Sequence, residues 1–182
     1  MRVSPIQLVL FFALFVLSSC EFHCSIGSES TNKERTHNEP IRKNGTTLLN
    51  GIELTANKMK VSKAYLVLAN GERVPDDNVV DFNSPVKMLL LIDSGWTTIN
   101  KRVWIGASEK VVAPNGEILL NEKDLFTDDD KGADATDAKI IGLTVTLKFP
   151  GSNLPDHLVI PFKVWDKKGE GYIEGSYTLY SK

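Results

Sequence analysis

Between Ile141 and Phe149 the chain alternates with a period of two. Ile141, Leu143, Val145, Leu147 and Phe149 are apolar, and Gly142, Thr144, Thr146 and Lys148 separate them. Successive side chains of a strand point to opposite faces, so this pattern sets one face of a half-buried strand against a core. A helix would need its apolar residues three and four positions apart. The same alternation returns at Leu158, Ile160, Phe162 and Val164, and again at Ile173, Tyr177 and Leu179 with Gly175 between them. Pro161 has no N–H to give a ladder, which predicts an edge strand or a bulge there.

Upstream the same grammar holds from about Leu48. Val61–Ala69 reads as a strand, and Asn70-Gly71 after it is a strong hairpin signal, because both residues tolerate positive φ. Glu72-Arg73-Val74 would begin the return. Val79–Phe82 is a short strand or bend. Val86–Ile92 is apolar on both faces and is predicted to be a central, buried strand. Asp93-Ser94-Gly95 is a turn. Lys101–Ser108 is a strand with Val103 and Ile105 on one face and Trp104 on the other. Val111-Val112 and Ile118–Leu120 flank a turn at Ala113–Glu117, and Asp124-Leu125-Phe126 suits one helical turn. Gly151–Asp156 turns the chain, and Asp166–Gly171 closes a last hairpin. Short strands with turns every eight to twelve residues predict an all-β, antiparallel sandwich, with a barrel as the alternative.

The first twenty residues carry a different message. After Arg2, Ile6–Leu17 is apolar except for Gln7, too short for the roughly 20 residues a spanning helix needs. It has the length of a secretory signal peptide's apolar segment, followed by small residues at a cleavage site. Leu17-Ser18-Ser19-Cys20 resembles the lipobox of bacterial lipoproteins. That resemblance implies cleavage before Cys20 and acylation of Cys20, hence a membrane partner through the lipid anchor and a place in the cell envelope, periplasmic or surface-facing. An ordinary secretory peptide with Cys20 free or bridged to Cys24 is the competing reading. The expected division is 1–19 signal peptide, 20–46 lipidated flexible tether and 47–182 β-sandwich domain.

The tether is poor in apolar residues, so little offsets the entropy of ordering it. As a random coil, ~25 residues span about 25–30 Å. His23 and His37 lie here without supporting ligands and read as solvated. Asn44-Gly45-Thr46 fits a glycosylation acceptor. Both cysteines, Cys20 and Cys24, precede the domain, whose core must therefore hold without disulfides. The formal charge of −2 argues against a nucleic-acid partner, which would want a basic stripe. At the other end, Phe162-Lys163-Val164-Trp165-Asp166-Lys167-Lys168-Gly169 resembles the Phe-x-Val-x-Asp-x-x-Gly hairpin of immunoglobulin-like modules on bacterial surface lipoproteins, which implies an immunoglobulin-like sandwich.

Catalysis finds little support in the residue types. The domain has one histidine, His157, no cysteine, and no Gly-x-Ser-x-Gly elbow; Gly106-Ala107-Ser108-Glu109-Lys110 fails that pattern. A carbohydrate-active or other hydrolase built on a carboxylate pair stays open, although no pair stands out. Two binding sites are candidates. Asp128, Asp130, Asp134 and Asp137, with Asp129, crowd one loop, where Ca²⁺ would relieve their repulsion; a solvated acidic loop is the competing reading. Trp96 and Trp165 could stack on sugar rings, against ordinary packing; Trp165 falls on the outward set of its strand. The reading is therefore a lipid-anchored envelope lipoprotein whose head is a non-catalytic binding, adhesion or structural accessory module for an envelope protein or glycan. A Ca²⁺-dependent ligand-binding module and a carboxylate hydrolase are the alternatives.

Overall fold

The alternating segments become strands, and their inward sets meet in one core. The computed structural model describes residues 40–149 and 154–182. The first 39 residues, with Cys20, Cys24, His23 and His37, and the first half of the Gly151–Asp156 turn lie outside the described residues. In chain order the strands are β1 (Ile41–Lys43), β2 (Thr46–Leu48), β3 (Glu53–Asn57), β4 (Lys60–Leu68), β5 (Val79–Val80), β6 (Val86–Ser94) and β7 (Arg102–Val103). They continue as β8 (Ile105–Val112), β9 (Ile118–Glu122), β10 (Ala133–Asp134), β11 (Ile140–Val145), β12 (His157–Asp166) and β13 (Tyr172–Ser181).

One sheet runs β1-β2-β4-β6-β11 and the other β3-β13-β12-β8-β9, with β5 added beside β13. Two pairings, β2–β4 and β5–β13, are parallel, and the remaining ones are antiparallel. The chain crosses between the two main sheets after β2, β3, β4, β5, β6, β9 and β11, a path consistent with an immunoglobulin-like sandwich. Leu66, Met88, Leu90 and Leu143 of the first sheet and Leu158, Ile160, Val164 and Ile173 of the second are fully buried in a single cluster. Truncating one such side chain to alanine costs about 2–5 kcal/mol. That cluster draws on residues between Leu48 and Leu179. Among the described residues no helix is long and apolar enough to cross a membrane.

Several local expectations change. The ordered strands begin at Ile41, ahead of the boundary drawn at 47. Asn44-Gly45, taken above as part of a glycosylation acceptor, is the two-residue turn of the β1–β2 hairpin, with φ of 51° and 82°. Both residues accept positive φ, as this turn demands. Asn70-Gly71 turns differently, since only Gly71 is positive, at 84°. Its N–H reaches Leu68 O at 2.9 Å, and Asn70 Oδ1 accepts the Glu72 N–H at 3.0 Å. Asn115-Gly116 repeats this turn, down to the Glu117 N–H on Asn115 Oδ1. After Asn70-Gly71 the return is one bridge, Val67 to Arg73, and the partner strand of β4 is β6.

β6 is central but buried on one face only: Leu89 and Leu91 are half-buried. Pro161, expected at an edge or bulge, sits in an interior strand between β13 and β8. The pairing to β8 skips Ile160 and Pro161 and resumes in the same register, so the missing N–H falls in a gap of the ladder. Trp104 splits the expected Lys101–Ser108 strand into β7, which pairs with β10, and β8. β11 stops at Val145, while Leu147 and Phe149 leave the ladder and pack on the core. Asp124-Leu125-Phe126 is a turn closed by Asp124 Oδ1 on the Phe126 N–H, not a helix.

Candidate ligand-binding face

β12 alternates strictly, so burying Leu158, Ile160, Phe162 and Val164 turns Lys163 and Trp165 to the outer face of the second sheet. Register sets Trp165 between Gly106 of β8 and Tyr172 of β13. The indole lies directly on Gly106, where a Cβ would overlap the ring. The next row holds Ser108, Lys163 and Glu174. Lys163 Nζ lies 3.4 Å from Glu174 Oε2 and 4.5 Å above the Tyr172 ring centroid. Ser108, Lys163, Trp165 and Tyr172 line a recess of about 510 Å³, bounded at one end by Asp166 and Gly169–Gly171.

The Phe-x-Val-x-Asp-x-x-Gly hairpin can now be explained residue by residue. Phe162 and Val164 are core. Asp166 is 4 % exposed, and its carboxylate accepts the Thr97 N–H at 2.6 Å and the Lys168 N–H at 2.9 Å. A Cβ on Gly169 would overlap Thr97 Oγ1. The motif is a folding device that fixes the end of the recess.

The three tryptophans differ in what holds their N–H groups. Trp96 donates to Ala138 O and Trp104 to Asp130 O, each at 3.1 Å. Trp96 packs on the core and does not line the recess. Trp165 has no hydrogen-bond partner among the described residues, and no buried side-chain donor there is left unsatisfied, so its N–H is not fully enclosed.

The aspartates of the acidic loop are not gathered. Asp128, Asp130, Asp134 and Asp137 are exposed, and among the described residues no three His, Cys, Asp or Glu side chains converge on a point that could hold a metal ion. Other contacts shape the loop: Gly132, with φ of 69°, packs under Trp104, and Arg102 donates to Gly132 O at 2.7 Å. Asp134 accepts the Thr136 N–H at 2.8 Å, which holds its carboxyl below the usual range. Asp137 opens a short 3₁₀ turn. His157 packs at a tilt of 46° against Tyr180, ring centroids 6.2 Å apart, at the start of β12.

One group escaped the sequence reading. Glu109 is 1 % exposed and faces the core, where Tyr177 donates to its Oε1 at 3.2 Å. Burial pushes its pKa up to about 7, against the Tyr177 hydrogen bond, which lowers it. Burial and the adjacent Glu109 push the Tyr177 hydroxyl well above its usual range. The signal was present, since Ile105, Ala107, Glu109 and Val111 share one parity of β8. Reading Lys101–Ser108 and Val111-Val112 as separate strands hides it. Asp166 and Glu109 do not make a hydrolytic pair: they lie four residues apart along the sheet, roughly 13 Å, beyond the ~5–10 Å such pairs need. Comparison with protein-family models, with curated proteins and with solved structures found no match.

Proposed function

We propose that the chain is an envelope lipoprotein, anchored through acylated Cys20, whose sandwich head is a non-catalytic module that binds a saccharide on the Trp165 face. The Leu17-Ser18-Ser19-Cys20 ending supports the anchor. One observation carries the ligand class: an indole whose N–H lacks a partner among the described residues lines an open recess. A sugar ring needs an apolar platform for its C–H face and polar groups for its hydroxyls. Trp165 and Tyr172 supply the platform, with Ser108, Lys163 and Glu174 beside it.

A glycan array followed by titration of the best ligand tests this. The parent protein should bind, and Trp165→Ala should weaken binding roughly tenfold or more, the effect of losing one aromatic contact of ~1.4 kcal/mol. A blank array, or equal binding by Trp165→Ala, counts against it. Mass spectrometry of the N-terminal peptide tests the anchor separately, and an unmodified Cys20 would remove it.

A further inference from the structure

Strand β6 is apolar on two faces, and the sandwich covers only one of them. Val86, Met88, Leu90 and Ile92 are buried, whereas Leu89 and Leu91 point outward and are half-buried. The registers arrange their surroundings in rows. Arg42, Thr47, Lys63, Leu91 and Ile140 form one line across β1, β2, β4, β6 and β11. Tyr65, Leu89 and Gly142 form the next, and Val67, Lys87 and Thr144 the third. Ile140 is 59 % exposed, more than other large hydrophobic residues of this face.

The charge on these rows has one sign. Arg42, Lys63 and Lys87 are its charged residues, and none has a carboxylate partner among the described residues. The chain as a whole carries −2, so these cations are segregated rather than representative. Asp93, the next outward residue of β6, is matched by Lys60 at 3.7 Å. Lys63 sets its ammonium 4.7 Å above the Tyr65 ring. The Lys87 stem lies across Gly142, where a Cβ would stand 3.2 Å from its Cδ. Lysine stems lying along the sheet, with ammonium groups that no carboxylate neutralises among the described residues, suit an interface between hydrocarbon and polar headgroups.

We infer that this outer face of the first sheet docks on an anionic lipid bilayer. Such a surface attracts each nearby Lys or Arg, and half-exposed apolar side chains enter the headgroup boundary. The inference draws on the anchored reading for reach: Arg42 follows Cys20 by 22 residues, which even fully extended could span no more than about 75 Å. An acidic protein partner would match the cations, but nothing ties it to the strand on which the chain enters the sheet.

The test uses the chain from residue 20 onward carrying Cys20→Ala and Cys24→Ala, so that no acyl group is present. It should sediment with vesicles of phosphatidylcholine containing phosphatidylglycerol, and not with phosphatidylcholine alone. Lys63→Glu/Lys87→Glu should lower the bound fraction at least roughly tenfold. Lys110→Glu/Lys123→Glu, an equal charge change on exposed residues of β8 and just beyond β9, should leave it nearly unchanged. Circular dichroism checks folding, and Lys63→Gln/Lys87→Gln replaces any variant that fails it. Absence of binding to the anionic vesicles overturns the inference, as does equal loss in both charge-reversed pairs. Retention on polyglutamate without vesicle binding assigns the face to an acidic protein and also overturns it. Because no lipid is attached, failure here leaves the Cys20 anchor standing, and an unmodified Cys20 leaves the vesicle result standing.

Discussion

Asn50 donates from Nδ2 to Asn78 Oδ1 over 3.0 Å, and Asn78 donates back from its own Nδ2 to Asn50 O over 2.8 Å. Both residues are essentially inaccessible and both hold positive φ, 56° and 57°. Asn50 also donates to Val74 O and Pro75 O and accepts the Leu66 N–H; Asn78 reaches Thr178 O. The pair thus ties the β2–β3 turn and the β4–β5 connection to β13, leaving no buried side-chain polar atom orphaned among the described residues. Asn50→Ala strands the Leu66 N–H and two carbonyls, and should cost about 3 kcal/mol or more in urea unfolding. Asn50→Asp, although isosteric, turns a second oxygen toward those carbonyls and should cost at least as much. A loss below about 1 kcal/mol for both would contradict this lock.

Glu109 gives the fold a pH dependence of definite sign. Its folded pKa, about 7, lies above the ordinary 4.5. The neutral form is therefore favoured by folding: its stability is fully present below pH 4.5 and is lost as pH rises through about 7. A shift of that size corresponds to about 3 kcal/mol between the acid and alkaline plateaus. Glu109→Gln keeps an acceptor for Tyr177 and carries no charge, so its unfolding free energy should lack this fall between about pH 5 and 8 and exceed the parent's at pH 8 by about 2–3 kcal/mol. Parallel pH profiles for the two proteins would rule this out.

Gly106 is required by the indole above it. Gly106→Ala should push Trp165 off the β8 backbone, costing about 1–3 kcal/mol and altering Trp165 fluorescence. Any ligand held by that ring should bind less tightly. An unchanged fluorescence spectrum would show that the ring does not rest there.

Calcium should leave the domain indifferent. Asp128, Asp130, Asp134 and Asp137 do not converge, and the loop is already held by Gly132, Arg102 and Trp104. Adding millimolar Ca²⁺, or a chelator, should move the thermal midpoint by less than about 1 °C. A rise of several degrees would show a site assembled only on binding.

Much of this architecture is legible in the alternation. Ile141 to Val145, Leu158 to Val164, and Ile173, Tyr177 and Leu179 point inward as their period requires. The all-β class and the last hairpin follow from that, and Trp165 falls on the outer face for the same reason. What is not legible depends on which strands become neighbours. Pro161 could not announce an interior position, because its tolerance rests on a gap in the pairing to β8. Leu89 and Leu91 look like core residues until the sheet is seen to have no covering strand there among the described residues. Asn50 and Asn78 are 28 residues apart, and an asparagine in a turn normally reports only on its own turn. The binding candidates diverge likewise: composition groups the aspartates, whereas register groups Trp165 with Tyr172, Gly106, Lys163 and Ser108.

The most direct measurement follows the three indole N–H resonances during titration with the saccharide that the array selects, assigning them with Trp165→Phe. The Trp96 and Trp104 signals, bound to Ala138 O and Asp130 O, should stay still while the Trp165 signal moves with ligand concentration and saturates. A Trp165 signal that remains fixed while ligand binds would contradict a saccharide site on this face.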